Sequence, residues 1–158
     1  MNIFFEEHRK LIADMLAEGV QFILIGGYAV NYHGYNRTTG DMDIWIKPDN
    51  NNKIKILNAL EKNNIDGEDL QAIKELDFTE ALVFSAWDSP YKIDFLTKVS
   101  GVSYEDADKE KITAEIEGIT IPIINLNHLV LTKFATGRTQ DKNDIEKLQQ
   151  VQEKKKAK

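Results

Sequence analysis

Apolar residues at Phe4, Phe5, Leu11, Ile12, Met15 and Leu16 recur at helical spacing, which predicts an amphipathic helix over residues 4–18. The rhythm then changes. Residues 20–25 form a short apolar run that reads as a buried strand, and 28–33 leave room for a brief helix before Gly34. Residues 41–47 alternate, which predicts a strand with Met42, Ile44 and Ile46 toward the core and Asp41, Asp43 and Trp45 on the opposite face. Pro48-Asp49 stops that strand. Asp49 or Asn50 can cap a helix over 52–62 with Ile54, Ile56, Leu57 and Leu60 inward, and 68–75 suggest another helical turn.

Two β-hairpins follow. Residues 80–86 and 91–98 flank Trp87-Asp88-Ser89-Pro90, and residues 111–116 and 119–124 flank Glu117-Gly118. The intervening stretch from 101 to 110 is polar and predicts no element. Asn125 caps a helix that runs to Thr136 and ends at Gly137, and 140–150 form a last helix with Ile145, Leu148 and Val151 inward. Together these elements predict an α/β (α+β) fold, a mixed, mainly antiparallel sheet flanked by helices. One domain is expected over 1–152, with a frayed basic tail at 153–158.

Composition narrows the options. A chain of 158 residues can bury roughly two-thirds of its surface in a single core. With no cysteine there is no disulfide, thiol nucleophile or thiolate zinc site. The start, MNIFFEEHRK, is broken by charges too early for a signal peptide, and no apolar run reaches membrane-span length. A cytoplasmic protein without a membrane partner is expected. The net charge of −6 opposes a broad electrostatic grip on nucleic acid, although it leaves room for a local basic groove.

The candidate chemistry lies in 24–46. Asp41 and Asp43 would stand side by side on one strand face, and two adjacent like charges invite a cation; hard dications such as Mg²⁺ prefer carboxylate oxygens. A solvated strand edge is the plainer reading of such a pair. Gly26-Gly27, where a strand enters a helix, would bring backbone N–H groups close to a phosphate.

In combination, these motifs resemble the polymerase-β-like nucleotidyltransferases. Ile25-Gly26-Gly27 matches their glycine turn, Asp41-Met42-Asp43-Ile44 their paired acids, and Asp94 within Lys92-Ile93-Asp94-Phe95-Leu96 their third acid. The lead-in Arg37-Thr38-Thr39-Gly40-Asp41 is similar to that of small bacterial members. Residues 133–144 (KFATGRTQDKND) look like the helix pair of nucleotidyltransferase toxins of abortive-infection systems.

The resemblance implies transfer of a nucleoside monophosphate from a nucleoside triphosphate to a hydroxyl, assisted by two Mg²⁺ or Mn²⁺ ions. Asp41, Asp43 and Asp94 would be both catalytic and metal-holding. Gly26, Gly27, Arg37, Thr39 and Lys133 would meet the nucleotide, with Arg138, Asp141 and Asp144 orienting Lys133. By residue chemistry alone, Arg37 could instead fix its loop, Thr39 could cap the turn before Asp41, and Lys133 could snorkel at a helix edge. Trp45 is expected to pack beneath the site, and Tyr28 and Tyr32 to border the nucleotide. His33 and His128 are set aside. The acceptor stays open among RNA, protein and small molecules, and an antitoxin partner is implied only by the toxin likeness. Two other readings stand beside this one: a non-catalytic nucleotide-binding or regulatory module of the same fold, and a sugar-nucleotide-dependent glycosyltransferase.

Overall fold

The computed structural model describes residues 4–156. Along the chain these form α1 (Glu6–Ala17), β1 (Phe22–Ile25), α2 (Gly26–Tyr32), β2 (Met42–Ile46), α3 (Asn50–Glu61), α4 (Gly67–Lys74), β3 (Val83–Ala86), β4 (Ile93–Leu96), α5 (Tyr104–Lys109), β5 (Ile112–Ile116), β6 (Ile119–Ile123), α6 (Leu126–Thr136) and α7 (Thr139–Lys156). The six strands make one mixed sheet in the order β3-β4-β2-β1-β6-β5. Three neighbouring pairs are antiparallel, and β1–β6 and β2–β4 are parallel. The expected mixed, mainly antiparallel sheet with flanking helices is what forms.

The alternation in β2 sets its two faces. Met42, Ile44 and Ile46 are fully buried on one side, as are Ile93 and Phe95 of β4. Trp45, on the face that carries Asp43, is buried as well. Tyr104 of α5 meets its ring edge-on with centroids 5.4 Å apart, and the indole N–H donates to the Thr97 carbonyl at 3.3 Å. The tryptophan is thus packing beneath the acids, with its one polar atom satisfied.

Asn52 ties the helical layer to the sheet. Its side chain accepts from the Gln21 amide at 2.9 Å and donates to the carbonyls of Gln21 at 2.9 Å and Lys47 at 3.2 Å. Those groups flank β1 and β2, where the Lys47 amide also donates to the Gln21 carbonyl at 3.1 Å, so one buried side-chain amide completes the backbone pairing at the end of the two strands. Asp49 caps α3 by accepting from the Asn52 amide at 2.7 Å.

Three expectations need correction. Ile54, expected inward, is exposed, because the buried stripe of α3 runs through Asn52, Ile56, Ala59 and Leu60 and leaves position 54 on the far side. The polar stretch after Gly101 contains α5, a helix short enough that only Tyr104 and Ala107 turn inward, too few to leave a periodic signal. Ser103 starts it by accepting from the Asp106 amide at 3.2 Å. The C-terminal region is not a frayed tail from 153 onward: α7 continues through Lys156, and its closing lysines suit the negative end of the helix dipole. Residues 157 and 158 of that expected tail lie outside the described residues. No described helix is long and apolar enough to cross a membrane.

Replacing Asn52 with Ala should lower stability by about 2–3 kcal/mol, because buried backbone groups lose their partner. Urea unfolding at neutral pH measures this; a loss below about 0.5 kcal/mol would mean water replaces the amide without cost.

Candidate active site

The acids are assembled by strand register. Asp43 is the pairing partner of Asp94 across the parallel β2–β4 ladder, and Ile25, the last residue before the glycines, pairs with Asp43 on the other side. Asp41 lies just ahead of β2. The Met42 amide donates to the Lys92 carbonyl at 3.2 Å, which brings Lys92 alongside. Its ammonium stands between two carboxylates, 3.5 Å from Asp41 and 3.6 Å from Asp94. Ser85, opposite Asp94 on β3, donates its hydroxyl to the Asp94 carboxylate.

The glycine turn is pressed against these acids. Gly26 has φ +69°, a left-handed backbone that any side chain would strain, and an added Cβ would collide with the Asp43 carboxylate. A Cβ on Gly27 would collide with the Thr39 hydroxyl. Both glycines are therefore required by close approach, and Thr39 serves as a packing partner of the turn.

Burial pushes the Asp43 carboxyl up to about 6, with the negative charges of Asp94 and Asp41 adding to it and Lys133 and Arg138 partly opposing. The acids lie at a corner between two clefts. Asp43 faces a cleft of about 640 Å³ with Gly26, Lys98, Ser100, Lys133 and Arg138 in its walls. Asp41 faces a second cleft of about 630 Å³ beside Thr39 and Tyr28. Among the described residues, no three acids or imidazoles are gathered into a ready-made metal cage; the Lys92 ammonium occupies the space between Asp41 and Asp94.

Lys133 departs most from expectation. It is 7% exposed, with its ammonium 3.0 Å from Asp141 and 2.9 Å from Asp144, which are 2% and 0% exposed. The three groups form a buried ion cluster where α6 turns into α7 at Gly137. Asp144 also takes both arms of the Arg37 guanidinium, at 2.8 and 3.0 Å. Arg37 therefore fixes its loop to α7 instead of reaching out for phosphate. Asp141 accepts from Thr136, Lys133 and Arg138, and although burial opposes ionisation, these donors hold its carboxyl down at about 2.

Lys133 is thus enclosed by carboxylates, while Arg138 is the more exposed cation of the two. Arg138 spends its Nε on Asp141 at 2.6 Å, yet its side chain is 74% exposed at the cleft rim, where the rest of its guanidinium faces solvent. Lys98, which sequence reading missed, is an exposed cation in the same wall. Its one legible signal was a position two residues beyond Leu96 on the Asp94 face. Tyr28 is buried against the second cleft, while exposed Tyr32 lines neither. The His33 Nε2–H donates to the Ile124 carbonyl at 2.8 Å, in keeping with a packing role.

Two measurements test these electrostatics. Asp43 is charged above about pH 6 in the fold but already above about 3.8 when unfolded, so ionised Asp43 weakens the fold increasingly between those values and fully above them. In EDTA, Asp43→Asn should therefore raise stability at pH 8 by on the order of 2–3 kcal/mol. That gain should largely vanish at pH 4, as read by urea unfolding at both pH values. Lys133→Met should cost about 3–5 kcal/mol, since it leaves two buried carboxylates face to face. A thermal midpoint equal to that of the unmodified protein would show that the cluster is not a support.

No curated protein matches the chain significantly in sequence. Among solved structures, a candidate nucleotidyltransferase from Thermotoga maritima shares the fold at TM-score 0.61 and 16% identity, over 89% of this chain and 88% of that one. The lincosamide antibiotic adenylyltransferase LnuA, in its lincomycin-bound form, shares it at TM-score 0.55 and 17% identity, over 96% of this chain and 99% of that one. The family model described as "Nucleotidyl transferase of unknown function (DUF2204)" matches residues 4–158, essentially the whole chain. The paired acids, the glycine turn and the shared fold agree with that match: the chain belongs to this nucleotidyl transferase family.

Proposed function

We propose that this protein moves a nucleoside monophosphate from a nucleoside triphosphate to an acceptor hydroxyl, with divalent metal assistance. The observation that carries the reading is the register pairing of Asp43 with Asp94 beside the Gly26-Gly27 turn, at the corner of two clefts of which one is lined by cations.

The residues present fit a hard divalent cation. Burial, with the negative charges of Asp94 and Asp41 adding to it, holds Asp43 near 6, and Lys92 already supplies a positive charge between Asp41 and Asp94. Asp41, Asp43 and Asp94 would hold Mg²⁺ or Mn²⁺, with a pair of ions as the family resemblance implies. When bound, such ions lower the charge on the phosphates and polarise the attacking oxygen.

The remaining work falls to the chain itself. The Gly26-Gly27 turn lets backbone approach the phosphates, and Arg138 and Lys98 attract the triphosphate as exposed cations in the cleft wall. Lys133 steadies that wall from within. The acceptor oxygen forms a bond to the α-phosphorus, the bond to the bridging oxygen breaks, and pyrophosphate leaves with the electron pair. Asp94 is placed to take the hydroxyl proton, its carboxylate oriented by Ser85. Lys92, between Asp41 and Asp94, would neutralise charge at the site's edge.

Asp94→Ala should abolish transfer while leaving triphosphate binding nearly unchanged. Arg138→Met should weaken triphosphate binding by about 1.5–3 kcal/mol through loss of a charge-assisted contact. The test incubates protein, Mg²⁺, each α-labelled triphosphate and a cell extract, then follows label and pyrophosphate. Equal labelling by the Asp41→Ala/Asp43→Ala double variant would overturn the proposal. Metal-dependent triphosphate binding with no transfer to anything would leave a regulatory nucleotide-binding module as the reading, and labelling from UDP-sugars alone a glycosyltransferase.

A further inference from the structure

The two clefts, one faced by Asp41 and the other by Asp43, differ in chemistry. The cleft facing Asp43 has Lys98, Lys133 and Arg138 in its walls. The cleft facing Asp41 is lined by Phe4, Phe5, Tyr28, Thr39, Ser89 and Pro90, together with Gly40 and Asp41 itself. None of its described lining residues is basic, and its single charge is negative. We infer that this second cleft is the acceptor site and that it takes a small, non-anionic hydroxyl compound with an apolar face. The inference rests on the nucleotidyl-transfer reading of the preceding section.

The wall is built to be occupied. Phe5 is 43% exposed, yet its ring is held edge-on against Tyr91 at 4.9 Å and against His8 at 5.4 Å. Phe4 stacks on Tyr28 at 5.8 Å. His8, fully buried behind them, fixes this group to the loop before β4 through the Tyr91 carbonyl at 2.8 Å. An exposed aromatic ring fixed in this way offers a firm apolar platform at little entropic cost.

Position and size agree. Asp41 and Asp94 are within reach of one Lys92 ammonium, so a hydroxyl seated beside Asp41 lies close to the proposed proton acceptor. The volume of about 630 Å³ falls in the usual range for small-ligand pockets. A nucleic-acid strand would instead bring phosphates against Asp41 on a chain of net charge −6, with no basic residue among the described lining residues and the Lys92 ammonium beside Asp41 already shared with Asp94. The transfer balances as described above: the acceptor gains the nucleoside monophosphate, pyrophosphate departs, and the hydroxyl proton passes to the protein.

The experiment divides a cell extract into metabolites below about 1 kDa (a bound set by pocket size), RNA, and protein, and offers each with Mg²⁺ and α-labelled triphosphates. Label should enter the small-molecule fraction. For the labelled compound, once purified, Phe5→Ala should lower kcat/KM by about 10-fold or more through lost apolar contact. Binding of a fluorescent triphosphate analogue should change less than about 2-fold, since Phe5 lies outside the cation-lined cleft. Label entering only RNA or protein, or an unchanged kcat/KM in Phe5→Ala, overturns this inference and leaves nucleotidyl transfer standing. No label in any fraction overturns both.

Discussion

A single buried ammonium, that of Lys133, determines where three separate parts of the chain meet. It holds Asp141 and Asp144 together, and so holds α7 against α6 across the turn at Gly137. Asp144 in turn grips Arg37, which anchors the loop carrying Thr39, Gly40 and Asp41. The order of charges is Arg37, Asp144, Lys133, Asp141, Arg138, alternating in sign along its whole length. Each buried carboxylate thus has a cation on both sides, which offsets the desolvation cost that an isolated buried pair would carry. One end of this chain positions an acid, and the other presents a guanidinium to the cleft.

The acids make the opposite arrangement. Asp41, Asp43 and Asp94 concentrate negative charge, and the nearest cation, Lys92, is a half-exposed side chain at ionic distance without hydrogen-bond contact. The fold therefore satisfies its charges fully in the support and incompletely at the corner of the clefts. Unspent electrostatic potential of this kind is a mark of sites that receive ligands. Here it lies next to a glycine turn with no side chain to shield it.

Much of this was legible in sequence because it depends on local period. Alternation around Met42-Asp43-Ile44 and Ile93-Asp94-Phe95 determined which faces carry acids, and Gly26-Gly27 announced close backbone approach. What stayed hidden depends on partners far along the chain. Nothing local distinguishes a Lys133 that reaches into a cleft from one locked by carboxylates on the following helix. Arg37 meets Asp144 across 107 positions of sequence. The aromatic platform draws Phe5, His8, Tyr28 and Tyr91 from three regions, so no window of sequence contains it. Helix α5 escaped for a different reason, since a six-residue helix with two inward residues has no period to detect.

The parallel pairing of β2 with β4 has a consequence for how such a protein can change over time. A strand's faces exchange when its phase slips by one residue. Asp94 would then turn toward the core and Phe95 toward solvent, and no side-chain adjustment could restore the pair with Asp43. Ile93–Leu96 must therefore keep its residue count for Asp94 to stay opposite Asp43. The side-chain phase of this one four-residue strand keeps the two acids paired.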